Sequence, residues 1–344
     1  MKIQTHHGSL AEHNWLKFFL APVLRETYLF RYINYIDSYD ICRTMTKIES
    51  WFKAFRLRTL PLSFSSVILG SMLALYRDAF QFPILIGALT TTLFLQILSN
   101  LANDYGDFKN GIDNDKRLGP QRSVQSGIIK PHQMVVGMII CALLALASGL
   151  WLLYEVSKTT DIAVVLTFLF IGLLAVAAAL KYTVGKNPYG YKGFGDIAVF
   201  LFFGITGVAG TYFLHTNEIA WPELLPAVSI GLLATGVLNL NNLRDIENDR
   251  EQGKRTLVVI MGLKYAKRYH SFLIFGAIAA IFLYTFLRYH SNYQFLFLMA
   301  VPLLVQNVII VSKSTNPSAF DAELKKLAVA TLLFAITIGI GLNY

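Results

Sequence analysis

The chain has 344 residues, of which 55% are hydrophobic and only 15% charged, with a formal net charge of +9 and a mean hydropathy of +0.51. A soluble domain rarely reaches these values, and apolar runs near ~20 residues recur along most of the length, which marks a polytopic helical membrane protein. The basic excess sits in loops between those runs, so no nucleic-acid partner is expected. Cys42 and Cys141 lie too far apart for a metal or redox spacing and the His residues are scattered, so no zinc or haem site is expected either.

Residues 1–44 come first and fit no pattern. They lack the basic start, apolar stretch and small-residue cleavage site of a signal peptide. The stretch from Trp15 to Tyr35 is interrupted by Lys17, Arg25, Glu26 and Arg31, so it can at most lie along the interface. Met45 then opens an amphipathic lead-in that runs to Pro61.

Nine spanning helices follow, at about 60–77, 82–102, 133–153, 161–181, 194–214, 222–241, 270–288, 294–312 and 324–343. Each has the ~20 residues that cross ~30 Å of hydrocarbon at ~1.5 Å per residue. The fold class is therefore all-α, a bundle of nine transmembrane helices in the lipid bilayer. Lys and Arg crowd the loops after the even-numbered helices, from Lys109, Arg122 and Lys130 through Lys181, Lys186 and Lys192 to Arg244, Lys254, Lys267, Lys313 and Lys325. The opposite loops hold Arg77, Lys158 and Arg288. That bias places the even-helix exits in the cytoplasm and the C-terminus outside.

Two acidic stretches stand at those cytoplasmic exits. The first runs from Asn100 through Asn103, Asp104 and Asp107 to Asp113 and Asp115; the second runs from Asn239 through Asn242, Arg244 and Asp245 to Asp249. Acids kept at a membrane boundary are costly and mark function. Asp104 and Asp107 are three apart, Asn103 and Asp107 four apart, and Asp245 and Asp249 four apart, so each set shares a helix face. Such carboxylates hold Mg²⁺ through one or two oxygens each and leave the other positions to water and phosphate. Asp113 and Asp115 read as solvated loop charges. Both stretches begin Asn-Leu-x-Asn and are separated by four helices, which suggests two four-helix halves plus a ninth helix with a site between the halves. Arg122, Lys186, Arg244, Lys254 and Arg255 supply cations on the same face. The loop from Lys181 to Asp196 mixes Gly, Lys and tyrosines, Tyr182 among them, and either closes over a substrate or forms an interfacial aromatic belt.

These motifs resemble the UbiA-type membrane prenyltransferase superfamily. The run Asn241-Asn242-Leu-Arg244-Asp245 and the run Gly253-Lys254-Arg255-Thr256-Leu257 resemble most its menaquinone branch, the 1,4-dihydroxy-2-naphthoate polyprenyltransferases, and the likeness spans about residues 47–344. Asp196 stands where that branch usually has Glu. The resemblance implies a nine-helix bundle of the bacterial cytoplasmic (inner) membrane. It also implies Mg²⁺ joining Asp104, Asp107, Asp245 and Asp249 to a polyprenyl diphosphate, with Asn103, Arg122, Tyr182, Lys186, Asn242, Arg244 and Lys254 as the diphosphate and substrate contacts. Ionisation of the allylic C–O bond would be followed by attack of the naphthoate ring, with loss of CO₂ and a proton. The competing readings are another acceptor such as 4-hydroxybenzoate, or a transporter; Mg²⁺-dependent pyrophosphate release separates the transporter from either enzyme.

The likeness begins just after Met45, so translation is expected to start there, leaving residues 1–44 as a non-family extension and 45–344 as the prenyltransferase domain. Intact-mass measurement of the native protein checks this. A mature chain beginning at Met1 that loses activity on deletion of residues 1–44 overturns it.

Overall fold

The computed structural model describes residues 47–112 and 122–344. The expectations for residues 1–44, and for Asp113 and Asp115, lie outside the described residues. Among the described residues nine helices are long and apolar enough to cross a membrane. They are α1 (Lys47–Tyr76), α2 (Phe82–Lys109), α3 (Pro131–Val156), α4 (Ile162–Lys181), α5 (Gly195–Thr216), α6 (Trp221–Arg244), α7 (Leu257–Leu287), α8 (Asn292–Lys313) and α9 (Pro317–Asn343).

Several helices run beyond the apolar window that identifies them. α2 continues as helix through Lys109, so the first acidic motif is helical from Asn100 to Lys109 and only Asn110–Ile112 leave the helix. A hydropathy window stops where polar side chains begin, whereas the helix stops only where its backbone hydrogen bonds do. α7 likewise starts at Leu257 rather than near 270, with Thr256 as its cap and a break at Gly262. α1 opens as an amphipathic segment, Lys47–Phe55, with Ile48 and Phe52 exposed and Ser50 and Ala54 buried. Arg56 then takes a left-handed conformation (φ 49°) and turns the chain into the spanning part.

α6 is the innermost helix. It packs against α5, α7 and α9, and α1 packs in turn against α9, enclosing an apolar core that includes Leu69, Tyr212, Leu233, Ile274, Phe297 and Phe334. A second cluster joins α1, α2 and α3 through Leu98, Leu101 and Met134. The most extensive helix contacts are α2 with α3 and α6 with α7, which matches the four-helix offset between the two motifs. α4 has no buried residue of its own and forms an outer wall.

α5 contains a π-helical stretch, Phe200–Gly210. π turns recur at functional sites, and here Phe202, Thr206, Gly210 and Leu214, four residues apart, all reach the central cavity. On its other side α5 meets α6 almost backbone to backbone. A Cβ at Gly204 would lie 2.6 Å from the Ala227 carbonyl and 2.8 Å from the Gly231 Cα, a small-residue contact of the kind that holds helices together in lipid.

Gly204→Leu is therefore expected to part α5 from α6 and cost about 1–3 kcal/mol by overpacking. Thermal unfolding of the purified protein in detergent reads this, and an unchanged midpoint counts against the close approach.

Candidate active site

The two acidic motifs meet at one end of the bundle. The C-terminal ends of α2 and α6 both border one cavity, and Asn248, in the short helix Ile246–Glu251, donates from its amide to the Ile112 carbonyl just past the end of α2 (3.2 Å). Lys254 Nζ lies 3.0 Å from Asp107 Oδ1 and 3.7 Å from Asp249 Oδ1. The two carboxylates are thus no further apart than those contacts combined, well inside the ~10 Å that a shared metal–diphosphate site allows.

Asp107 is buried and held from three directions. Arg122 Nη2 donates to its Oδ2 at 2.5 Å, Lys254 approaches Oδ1, and the Tyr191 hydroxyl donates to Oδ1. Arg122 also donates to the Asn103 carbonyl (2.5 Å) and lies 3.6 Å from Asp104 Oδ1. A cation there suits the C-terminal end of α2, where unpaired carbonyls concentrate negative potential. Asp104 takes a further hydrogen bond from the Ser123 backbone N–H (3.2 Å), while the Ser123 hydroxyl donates to the Ser50 carbonyl of α1 (2.8 Å). In the second motif Arg244 grips Asp245 with two hydrogen bonds, Nε to Oδ1 at 3.0 Å and Nη2 to Oδ2 at 2.6 Å.

The loop after α4 docks onto this cluster. The Thr183 hydroxyl donates to the Ala102 carbonyl (2.9 Å) and to Asn103 Oδ1 (3.2 Å). A Cβ at Gly106 would sit 2.6 Å from the Thr183 carbonyl oxygen, so only glycine lets helix and loop touch here. The Arg255 N–H donates to the Tyr191 carbonyl (2.9 Å), and the Lys254 ammonium lies 4.6 Å from the Tyr191 ring centre. Burial, with the charge of nearby carboxylates added to it, pushes the Tyr182 and Tyr191 phenols well above their ordinary range. Burial alone takes Tyr189 up to about 12. All three stay neutral at physiological pH, so they act as hydrogen-bond donors rather than bases.

A cavity of about 420 Å³ opens beneath the motifs, in the range of small-molecule sites. Asn103, Asp107, Arg122, Tyr182, Asn242, Asp245, Asp249 and Lys254 lie on its wall. Its lining extends along α2 from Asp107 to Ala88, roughly 28 Å at ~1.5 Å per residue. The deep part is apolar, walled by Leu152, Phe168, Leu169, Phe202 and Leu214. One flank carries a polar ladder between α1 and α2: Ser63 donates to Gln96 (2.7 Å), Gln96 to Thr59 (3.1 Å), and Asn100 to both Thr59 (3.2 Å) and the Phe55 carbonyl (2.9 Å).

Three expected site residues are off that wall. Asp104 faces Arg122 and Ser123 behind it. Arg244 is buried with its guanidinium committed to Asp245 and to Asp321 of α9 (Nη1 to Oδ1, 2.7 Å). Lys186 is exposed, because the left-handed turn at Gly185 (φ 98°) and Asn187 (φ 59°) carries it outward. Asp196 is buried but likewise absent from the wall. Tyr191, Ser123, Asn248, Asp321 and the polar ladder join the site without having been singled out in the sequence.

The donor set of the cavity is carboxylate and amide oxygen, and among the described residues no three His, Cys, Asp or Glu side chains converge tightly. That fits Mg²⁺, which takes one or two carboxylates and fills the rest of its octahedron with water and phosphate, better than an ion that needs an all-protein cage.

The UbiA prenyltransferase family matches residues 63–337. A relative from Escherichia coli K12 named 1,4-dihydroxy-2-naphthoate octaprenyltransferase is 41% identical over 298 residues, covering 87% of this chain and 96% of that protein. The solved structure of a UbiA homolog from Aeropyrum pernix K1 superposes with a TM-score of 0.58 at 17% identity, over 83% of this chain and 97% of that one. A UbiA homolog from Archaeoglobus fulgidus, solved with DMAPP and Mg²⁺, gives 0.54 at 16% identity, over 83% and 98%.

Arg122 is the residue whose loss this geometry makes most costly. Arg122→Ala leaves Asp104 and Asp107 buried without their shared cation, an expected loss of about 3–5 kcal/mol. Adding Asp104→Asn should recover part of it, because one uncompensated charge is then removed. Denaturant or thermal unfolding in detergent measures both, and an unchanged midpoint in the single variant refutes the coupling.

Proposed function

The chain belongs to the UbiA prenyltransferase family, and we propose that it transfers a polyprenyl group from a polyprenyl diphosphate to 1,4-dihydroxy-2-naphthoate, releasing diphosphate and CO₂ and giving demethylmenaquinol. One observation carries the reading. A single cavity joins both acidic motifs, with their cations, to an apolar channel at hydrocarbon depth. A diphosphate head with an isoprenoid tail has that division of polarity.

Asp107, Asp245 and Asp249 are the wall carboxylates that would hold Mg²⁺, with Asp104 supporting them from behind. Mg²⁺ bound there supplies Lewis-acid neutralisation of the departing diphosphate. Lys254 and Arg122 line the same wall and would meet the diphosphate oxygens; a cation that shifts from carboxylate to phosphate stays compensated throughout. Tyr182 and Tyr191 remain protonated and donate hydrogen bonds. The allylic C–O bond breaks, the apolar wall keeps water from the allylic cation, and a ring carbon bonds to the prenyl terminus. From the carboxylate form of the acceptor, loss of CO₂ returns its bonding pair to the ring, so no net proton has to be taken up. Neutral tyrosines on the wall suit that balance. Arg58, on the wall and 3.8 Å from Asp321, is the cation placed to meet the acceptor's carboxylate. The motif face, with its Lys and Arg excess, would be cytoplasmic and the C-terminus outside, in a bacterial inner membrane.

Purified protein given Mg²⁺, one labelled polyprenyl diphosphate and a panel of aromatic acceptors should prenylate 1,4-dihydroxy-2-naphthoate in preference to 4-hydroxybenzoate, as read by mass spectrometry. Asp107→Asn and Asp245→Asn should each lower turnover about 10³-fold while the protein stays folded and inserted. Near-normal rates in both variants at saturating Mg²⁺ would sink the shared-metal reading, and no pyrophosphate release by the wild type would point to a transporter.

A further inference from the structure

The lead-in of α1, Lys47–Phe55, turns large apolar side chains outward although polar ones lie beside them. Ile48 is 69% and Phe52 56% exposed, while Ser50 and Ala54 are buried. At ~3.6 residues per turn the helix divides into three sectors. Ser50 and Ala54 face the bundle, and Glu49 and Lys53 lie on a charged sector. Ile48 and Phe52 lie between the two, next to the half-buried Trp51 and Phe55. A helix resting on a soluble protein has one apolar face, toward the core. A second apolar face, exposed and bordered by charge, fits a helix that meets protein, hydrocarbon and water at once.

Its contacts fix its depth. The Phe55 carbonyl accepts from Asn100 Nδ2 (2.9 Å). Asn100 lies nine residues before α2 ends at Lys109, roughly 13 Å along the helix axis. Trp51 covers Gly137, where a Cβ would lie 2.8 Å from the indole ring, and Gly137 is already six residues inside α3. Ile140 and Leu144, three and seven residues further on along the same strip of α3, are exposed and face lipid in a spanning helix. The lead-in is thus sunk below the ends of its neighbours, and its apolar sector continues a lipid-facing strip.

We propose that Lys47–Phe55 is a bilayer-docking helix, with Ile48 and Phe52 seated at the acyl boundary of the leaflet on the motif side, and that this docking steadies the turn that carries Arg122. The link between the two is short. The Ser50 carbonyl accepts from the Ser123 hydroxyl (2.8 Å), and the Ser123 N–H donates to Asp104 (3.2 Å). Val124 and Ile129, after Ser123, pack in one cluster with Ala54. Arg122, just before it, holds Asp107 at 2.5 Å. The outer face of the helix meets lipid and its inner face carries the turn.

The test places a nitroxide at one position at a time in the full chain, with Cys42→Ala and Cys141→Ala as background, in nanodiscs of phosphatidylcholine and phosphatidylglycerol. Ile48→Cys and Phe52→Cys are the test sites, Ile140→Cys is the lipid reference and Lys186→Cys the aqueous one. Electron paramagnetic resonance reads collision with oxygen, which concentrates in hydrocarbon, and with a nickel chelate, which stays in water. Labels at 48 and 52 should match position 140 in oxygen access and fall well below position 186 in nickel access. Nickel access equal to that at 186 means the face is in water, and shielding from both reagents means protein covers it, whether a second copy or the segment ahead of residue 47. Either result overturns the proposal. For the link to the turn, a label at Ser126→Cys should gain a mobile spectral component when Ile48→Ser and Phe52→Ser are added, and an unchanged spectrum overturns that half. The labelled sites at 48 and 52 are exposed single positions, so the docking is decided even where the double serine variant does not insert.

Discussion

Acids at a hydrocarbon boundary must be compensated without being used up, and the arrangement around α2 and α6 follows from that requirement. Asp104, Asp107, Asp245 and Asp249 are all buried, and an unpaired carboxylate in such surroundings would cost several kcal/mol. The two motifs meet the cost differently. Asp107 is balanced by Arg122 and Lys254, both on the cavity wall, and Lys254 stands between Asp107 and Asp249 on a long stem. Those cations border the cavity. Asp245 is balanced by Arg244, which is sealed off from the cavity and bound on its far side by Asp321. One motif is thus compensated by cations on the cavity wall and the other by a cation shut away from it.

The helices serve the same requirement. Because α2 stays helical to Lys109, Asn103 and Asp107 share a face while the intervening Asp104 turns toward Ser123. The bare edge of Gly106 lets the loop of Thr183 and Tyr191 close against that helix. This brings the Tyr191 hydroxyl to Asp107 and the Tyr191 carbonyl to the Arg255 N–H, so the loop after α4 and the segment before α7 become one floor over the acids. Asn248 completes the join between the motifs from the other side.

Much of this was legible in the sequence, for physical reasons. Nine apolar segments have to appear as runs of hydrophobic residues, since nothing else lies stably in lipid. Acids at i, i+3 and i+4 have to share a helix face. What spacing does not give is which way a face looks once neighbours pack around it. Asp104 and Arg244 belong to the right motifs but point away from the cavity, one toward the backbone of Ser123 and the other toward α9. Lys186 is carried outward by two left-handed residues whose effect only the folded turn displays. Asp321 shows locally only its i,i+4 pairing with Lys325: its partners Arg244 and Arg58 lie far away in sequence, and only the packing of α9 against α1 and α6 brings them together.

The cavity discriminates between the two ends of a substrate by different means. At the motif end, the position of a bound group is governed by charge and directional hydrogen bonds. Along the channel several polar groups of α1 and α2 are spent on one another, Ser63 on Gln96 and Asn100 on Thr59, so that part of the flank offers a passing chain mostly hydrocarbon contact. Such contact is non-directional and grows with the area covered. The outer wall is α4, which buries none of its own residues and leaves Leu166, Phe170 and Leu173 exposed. A tail longer than the roughly 28 Å channel would leave one apolar environment for another at almost no cost. The architecture thus fixes the diphosphate strictly and the tail loosely, and the selectivity it can express lies in the head group and in the aromatic partner that meets it.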